Sequence, residues 1–302
     1  MSRITRAIVP IAALSLLALA GCASGDDGAG SDEPALGTAD NPVQLGVVGA
    51  SDPYWDVYKE AVEAEDIAID IVDFTEYSQP NPALTEGDLD INQFQHILFL
   101  AQYNEESGED VQPIGATAIY PLGLYSDKYD SPDDIPDGET VLVPDDATNL
   151  ARGLLVLQEA GLIALEDGGS AYSTPEDIIE DESRVEVETV AADLTLTSLP
   201  DVAAAIANND YVTKAGIDPE TAIAADSASD ESALPYVNVF AVRSEDVDNE
   251  VLNKLVEIYQ TNQDVQDGVL EVSGGTAVLA QTPADELQAS LADTQEAFAA
   301  SK

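Results

Sequence analysis

The chain of 302 residues carries 59 Asp and Glu against 10 Lys and Arg, a formal net charge of −49 at pH 7. A surface so acidic repels nucleic acid and anionic lipid headgroups, which excludes both as ligands. A single cysteine permits no intramolecular disulfide, so the fold must be held by an apolar core, and a chain of this length can build two domains around one.

The charge itself has two readings. Repulsion among the carboxylates opposes compaction unless salt screens it, because the Debye length falls to about 3 Å at 1 M; the acidity therefore reads as adaptation to a salty or cation-rich environment. Calcium sites are the other reading, but no Asp-x-Asp-x-Asp-Gly loop is present and the acids are dispersed.

At the N-terminus, Arg3 and Arg6 precede an apolar run from Ala7 to Ala20, which ends in Leu19-Ala20-Gly21-Cys22. A basic start, an apolar stretch and small residues before a cleavage point resemble a bacterial lipoprotein signal. The resemblance implies cleavage after Gly21, a diacylglycerol on the Cys22 thiol and acylation of the new amino group. Two or three acyl chains, at about 0.8 kcal/mol per buried CH₂, anchor a protein stably to a membrane surface. The alternative is a buried thiol beside an N-terminal transmembrane helix, but the apolar run is short of the roughly 20 residues a span needs. Residues 1–21 are thus expected as signal peptide, and their loss with two cations makes the net charge −51. Residues 22–41 are small and acidic, with almost no bulky apolar group, and are expected as a disordered tether.

From Pro42 the pattern alternates between strands and helices. Val43–Gly49 and Ile67–Phe74 read as strands, with a helix over Tyr54–Ala64 between them, a βαβ opening that makes the chain α/β. Further strands are predicted at Val111–Ala118, Thr140–Val143, Val185–Ala191 and Tyr236–Val242. Helices are predicted at Asn149–Ala160, Pro200–Asn208, Asn249–Asp264 and Pro283–Lys302. In the third of these, Leu252, Leu255, Val256 and Tyr259 follow the i, i+3, i+4, i+7 spacing of a buried stripe.

Much chemistry is missing. His96 is the only histidine, so a zinc site of several His and Cys ligands cannot be assembled. Serine-hydrolase elbows, phosphate-binding loops and dinucleotide fingerprints are absent. A glycosidase carboxylate pair has no distinguishing mark among 59 acids. The one local arrangement with chemical content is Asp145-Asp146-Ala147-Thr148-Asn149-Leu150-Ala151-Arg152, a strand end running into a helix whose first turn carries Asn149 and Arg152. A helix N-terminus attracts anions and an Arg fork suits a carboxylate. Equally, Thr148 or Asp146 merely caps the helix and Arg152 pairs with a surface acid.

Five blocks, in order along the chain, resemble one family. They are Tyr77-Ser78-Gln79-Pro80-Asn81-Pro82-Ala83-Leu84, the run from Gly87 to His96 with its Asn92-Gln93-Phe94-Gln95-His96 core, Ile119-Tyr120-Pro121, Thr148 to Leu155 with Asn149-Leu150-Ala151-Arg152, and Pro235-Tyr236-Val237-Asn238. The chain resembles, over about Val43–Gly275, the methionine-binding or NlpA lipoproteins, substrate-binding components of methionine ABC importers. That resemblance implies a two-lobed periplasmic-binding-protein-like fold of type II, with lobe one about 42–121 plus 238–302 and lobe two about 122–237. It implies no catalysis and no cofactor, with methionine or a close analogue as ligand, and an ABC permease and ATPase as partners. The location implied is the extracytoplasmic face of a cell membrane.

Carried over by position, Arg152 looks like the carboxylate clamp with Asn149 beside it, and Asn208 and Asn238 like the amides that fix the two charged ends. Tyr77, Phe94, His96 and Tyr120 look like the wall around the side chain. Asn209 stands one residue from Asn208 and competes for its role. Ser51-Asp52-Pro53-Tyr54-Trp55 departs from the family pattern, leaving Trp55 either at the pocket mouth or in the core. Two other classes stand beside the importer reading: a surface enzyme, which would need a base and nucleophile in the cleft, and a structural lipoprotein with a vestigial cleft.

Overall fold

A computed structural model describes residues 34–227 and 231–301 of the protein. The expected signal peptide, Cys22 and residues 23–33 lie outside the described residues, as does Lys302. Along the chain come β1 (Val43–Val48), α1 (Tyr54–Glu63), β2 (Ile69–Phe74), α2 (Pro80–Glu86), β3 (Ile91–His96), α3 (Ile97–Ser107), β4 (Val111–Ala116) and β5 (Ala118–Ile119). A second run follows with β6 (Gly123–Tyr125), β7 (Thr140–Pro144), α4 (Ala147–Glu159), β8 (Glu186–Val190), β9 (Ala204–Ala207), α5 (Asn209–Lys214) and β10 (Ala224–Ala225). The chain then closes with β11 (Asn238–Arg243), α6 (Glu250–Thr261), α7 (Gln263–Val272), β12 (Val278–Leu279) and α8 (Ala284–Ser301).

Two five-stranded sheets result, one per lobe. The first has the order β2-β1-β3-β11-β4 and the second β10-β6-β9-β7-β8, while β5 and β12 form a small antiparallel pair. Strands β1, β2 and β3 are parallel, as βαβ crossovers require, and β11 enters antiparallel between β3 and β4 after the chain has built the second sheet. The chain therefore passes to the second lobe after β5 and returns along β11.

The first sheet is covered on both faces. Trp55, Tyr58, Tyr259 and Phe240 stack edge-on and tilted on one side, beneath α1, α6 and α7. Leu84, Leu100, Leu287 and Leu291 fill the other side beneath α2, α3 and α8. A separate cluster holds the second lobe, with Val141, Val143, Leu154, Leu157 and Ile206 at its centre. A fourth cluster joins the lobes: Val48, Tyr77 and Phe94 from the first meet Leu142, Ala205 and Tyr211 from the second.

The α6 stripe is buried as its spacing predicts, but the helix expected over 249–264 is two helices. Asn262 ends α6 and, with its side chain accepting from the backbone N–H groups of Asp264 and Val265, caps α7. The helix expected at Pro200–Asn208 is a correction of kind. A short 3₁₀ turn at Leu199–Asp201 leads into β9, which pairs with β6 and β7 and is buried along its whole length. Alanine favours helix by intrinsic propensity, but its small side chain also fits the crowded centre of a sheet, and tertiary burial overrides propensity. Residues 34–41, expected within the tether, form a turn in which Gly37 N–H donates to Asn41 O and Leu36 packs on the first core cluster. Trp55 is core, 1% exposed. Among the described residues no helix is long and apolar enough to cross a membrane.

Two expectations follow from this packing. Gly115 in β4 lets α6 approach so closely that a Cβ there would lie 2.1 Å from Val256 Cγ1. Gly115→Ala is expected to lower stability by about 1–3 kcal/mol through overpacking, read as a lower urea midpoint at unchanged slope. Five of the described cations, Lys59, Arg152, Arg184, Arg243 and Lys254, take part in ion pairs, so most carboxylates have no cationic partner. The melting temperature should therefore rise steadily with KCl from 0.1 M upward, by screening of repulsion; a flat profile would mean the acidic surface costs the fold nothing.

Candidate functional site

All eight residues singled out by sequence line one cavity between the lobes, with about 450 Å³ of space not filled by protein atoms, part of it open to solvent. Tyr77, Phe94, His96, Tyr120 and Asn238 reach it from the first lobe and the crossovers, and Asn149, Arg152 and Asn208 from the second. Gln95, Phe99, Leu122, Asn209 and Asp210 complete much of the lining.

Arg152 sits in the first half of α4 and is 5% exposed. A guanidinium this buried needs acceptors, and it has them. Its Nε and Nη2 form a fork on Asp226, at 2.5 Å to Oδ2 and 3.1 Å to Oδ1, and Nη2 also donates to the Tyr120 carbonyl at 2.8 Å. The ring of Tyr236 lies 4.3 Å from its Cζ, a cation–π contact. Asp226 accepts in addition from the backbone N–H of Leu122 at 2.8 Å. Among the described residues no hydrogen bond engages Nη1. Sequence reasoning found Arg152 but missed Asp226, since nothing local sets that carboxylate apart from the other acids.

Asn149 is a hub. Asp146 caps α4, accepting from the backbone N–H of Asn149, and its two carboxylate oxygens also take the Asn149 Nδ2 group at 3.0 and 3.1 Å. Burial raises the Asp146 carboxyl above the usual range, while those hydrogen bonds work against the shift. On its other side, Asn149 Oδ1 accepts from Asn208 Nδ2 at 3.0 Å and meets His96 Nε2 at 3.5 Å. Asn149 therefore reaches the cavity with its amide already committed, and what it does is hold Asn208. Among the described residues the buried Oδ1 of Asn208 has no partner, so the amide offers an unmet acceptor.

His96 ends β3 and caps α3, its Nδ1 accepting from the Phe99 N–H at 3.1 Å. An accepting Nδ1 places the proton on Nε2. Burial, and then the Arg152 charge, push the imidazole down to about 3, so it is neutral at ordinary pH. Behind it, the polar residues of β3 are satisfied within the protein: Asn81, Asn92 and Gln95 bond one another at 2.7–3.1 Å. The side-chain amide of Asn238, opposite His96 in the β11–β3 register, has no hydrogen bond to described residues.

Asp210 is the second acid that sequence reasoning missed. It stands in α5, lines the cavity and accepts the Tyr77 hydroxyl on Oδ2 at 2.8 Å, a bond that joins the lobes. Burial raises its carboxyl to about 7; the Tyr77 bond pulls the other way and the Asp52 charge adds to the rise. Of the two neighbouring amides Asn208 and Asn209, both line the cavity, and it is Asn208 that is tied to Asn149. Among the described residues no group of three or more His, Cys, Asp or Glu could hold a metal ion.

The probable D-methionine-binding lipoprotein MetQ of Pasteurella multocida is 36% identical over 266 residues, which cover 87% of this chain and 94% of that one. A nutrient-binding protein from Burkholderia cenocepacia, solved bound to methionine, has a TM-score of 0.73 at 34% identity, over 79% of this chain and 99% of that one. The substrate-binding protein of a methionine transporter from Streptococcus pneumoniae matches at TM-score 0.73 and 32% identity, over 79% and 95%. The matching family description, NlpA lipoprotein, extends over residues 43–280, from the first strand of the first sheet to just past β12. With both sheets, both crossovers and every cavity residue discussed above inside that span, the chain belongs to the NlpA lipoprotein family.

Proposed function

We propose that the protein captures methionine between its lobes and delivers it to the permease and ATPase of an ABC importer, held at the extracytoplasmic face of the membrane by lipid on Cys22. The observation that carries the ligand reading is the set of polar groups unmet among the described residues beside an aromatic wall: Arg152 Nη1, the buried Asn208 Oδ1 and the Asn238 amide. A zwitterion leaving water needs each charge hydrogen-bonded, since an unpaired buried group costs several kcal/mol. In this reading the ligand carboxylate takes Arg152 Nη1, and Asn208 and Asn238 take the remaining polar positions. The thioether chain lies against Tyr77, Phe94 and Tyr120, where full burial contributes roughly 1.5–3 kcal/mol and sulfur–aromatic contact about 0.3–1.5 more. Asn149 and Asp226 serve as supports, one for Asn208 and the other for Arg152. The cavity presents amides, aromatics, a fixed cation and the Asp210 carboxyl that holds the Tyr77 hydroxyl, a lining that favours binding over catalysis.

The decisive experiment is native mass spectrometry of the protein before and after partial unfolding, followed by calorimetric titration with L-methionine, D-methionine and methionine dipeptides. Release and rebinding of methionine supports the importer reading; rebinding of another amino acid or a dipeptide changes the substrate and leaves the mechanism; indifference to all of them removes it. Arg152→Ala should weaken binding by about 2–5 kcal/mol, and near-wild-type affinity would defeat its assignment. Asp226→Ala, which leaves Arg152 buried and unaimed, should weaken it by about 1–3 kcal/mol. Because the His96 imidazole is pushed down to about 3, it should show the neutral Nε2–H form by NMR throughout pH 5–8; a titration within that window would contradict its buried setting.

A further inference from the structure

Among the described residues Arg152 is the only Lys or Arg lining the cavity, and its charge is already matched by the two-pronged contact with Asp226. His96 is neutral. The remaining ionisable carboxyl on the wall is Asp210, for which no cationic partner is found among the described residues. Its Oδ2 takes the Tyr77 hydroxyl, and among the described residues no hydrogen bond reaches Oδ1. The groups that act on it electrostatically, Tyr77, Tyr54, Tyr120, Tyr211, Tyr259 and Asp52, are neutral hydroxyls or a further acid. Two residues before it stands Asn208, whose buried Oδ1 is also an acceptor without a donor. The wall between β9 and α5 therefore presents two acceptor oxygens, Asn208 Oδ1 and Asp210 Oδ1, that no hydrogen bond from the described residues reaches.

Resting on the reading of the cavity as a methionine site, we infer that Asp210 is a specificity-determining residue: its carboxylate, oriented by Tyr77 and seconded by Asn208 Oδ1, receives the ligand's α-ammonium. Charge then closes on the Asp210 side. The ligand carboxylate adds a third acceptor to Arg152, and the ammonium supplies the cation that Asp210 lacks. The raised Asp210 carboxyl agrees with this, since it marks a group buried without its counter-ion. The site is accordingly built for an amino acid with a free amine, and acids of the same shape without that amine are rejected.

The test compares L-methionine with 4-(methylthio)butanoate, which keeps the carboxylate and thioether and lacks the amine, on the wild type and on Asp210→Asn and Asp210→Glu. The wild type should bind the des-amino acid about 100-fold more weakly than methionine. Asp210→Asn should lose most of that ratio, chiefly by weakening methionine, and Asp210→Glu should restore part of it. The inference is overturned if the wild type binds both compounds equally, a result that needs no variant to fold, or if Asp210→Asn weakens both by the same factor. Failure to bind methionine at all would remove the underlying functional reading and this inference with it, whereas methionine binding without discrimination would remove this inference alone.

Discussion

The site depends on one carboxylate. Asp226 lies just past β10 on the return path to the first lobe, and it accepts from Arg152 Nε and Nη2 and from the Leu122 N–H on the outward path. Arg152 in turn donates to the Tyr120 carbonyl. Three charge-assisted bonds thus tie both crossovers to the first half of α4. Charge-assisted bonds are about twice as strong as neutral ones, and a forked contact fixes the plane of the guanidinium as well as its position. A solitary buried Arg would cost several kcal/mol and would have no preferred orientation. With Asp226 in place the guanidinium is aimed, two of its nitrogens are occupied and the third is left over.

That arrangement changes what the arginine means. By sequence, a lone cation at a helix start in a chain this acidic suggests a carboxylate clamp with a full positive charge to offer. In the structure the clamp is half-used and locally neutral, so discrimination among ligands has to come from the groups around it. The same holds for Asn149, whose four hydrogen-bonding contacts are spent on Asp146, Asn208 and His96. Residues that line a cavity divide into those with capacity to spare and those that hold them, and only three-dimensional accounting separates the two.

The parts of the fold legible from sequence are those where a local pattern and the tertiary environment agree. The α6 stripe is periodic because one face is buried, β1 is apolar because it lies within a covered sheet, and β2, at the edge, mixes apolar residues with exposed Asp70 and Asp73. β9 escaped because an alanine-rich run has no pattern of its own and takes whichever form its neighbours impose. β3 escaped periodicity for another reason: Asn92, Gln93, Gln95 and His96 are polar yet fully buried, sustained by the Asn81–Asn92–Gln95 network that no local rule predicts. It was family-like sequence that marked β3 and the eight residues singled out from sequence that line the cavity, while Asp226 and Asp210 carried no such mark. In a chain with 59 acids, a functional carboxylate carries no signal until its partner is seen.

The contacts that shape the cavity are also the contacts that hold the lobes together. Tyr77 of the first lobe donates to Asp210 of the second, Tyr211 reaches back to the Thr75 carbonyl at 3.4 Å, and His96 meets Asn149. Around them Val48 and Phe94 of the first lobe pack with Leu142 and Ala205 of the second in one buried apolar cluster. Separating the lobes would return these groups to water, and bringing them together strands Asp210 and Asn208 Oδ1 unless something in the cavity donates to them. Apolar burial therefore favours closure, and the two acceptors oppose it in an empty cleft. A ligand able to donate removes the opposition and leaves the apolar term, so its binding energy and the closing of the lobes become one quantity. Under the proposed function, this is the population shift expected of hinge-closing receptors.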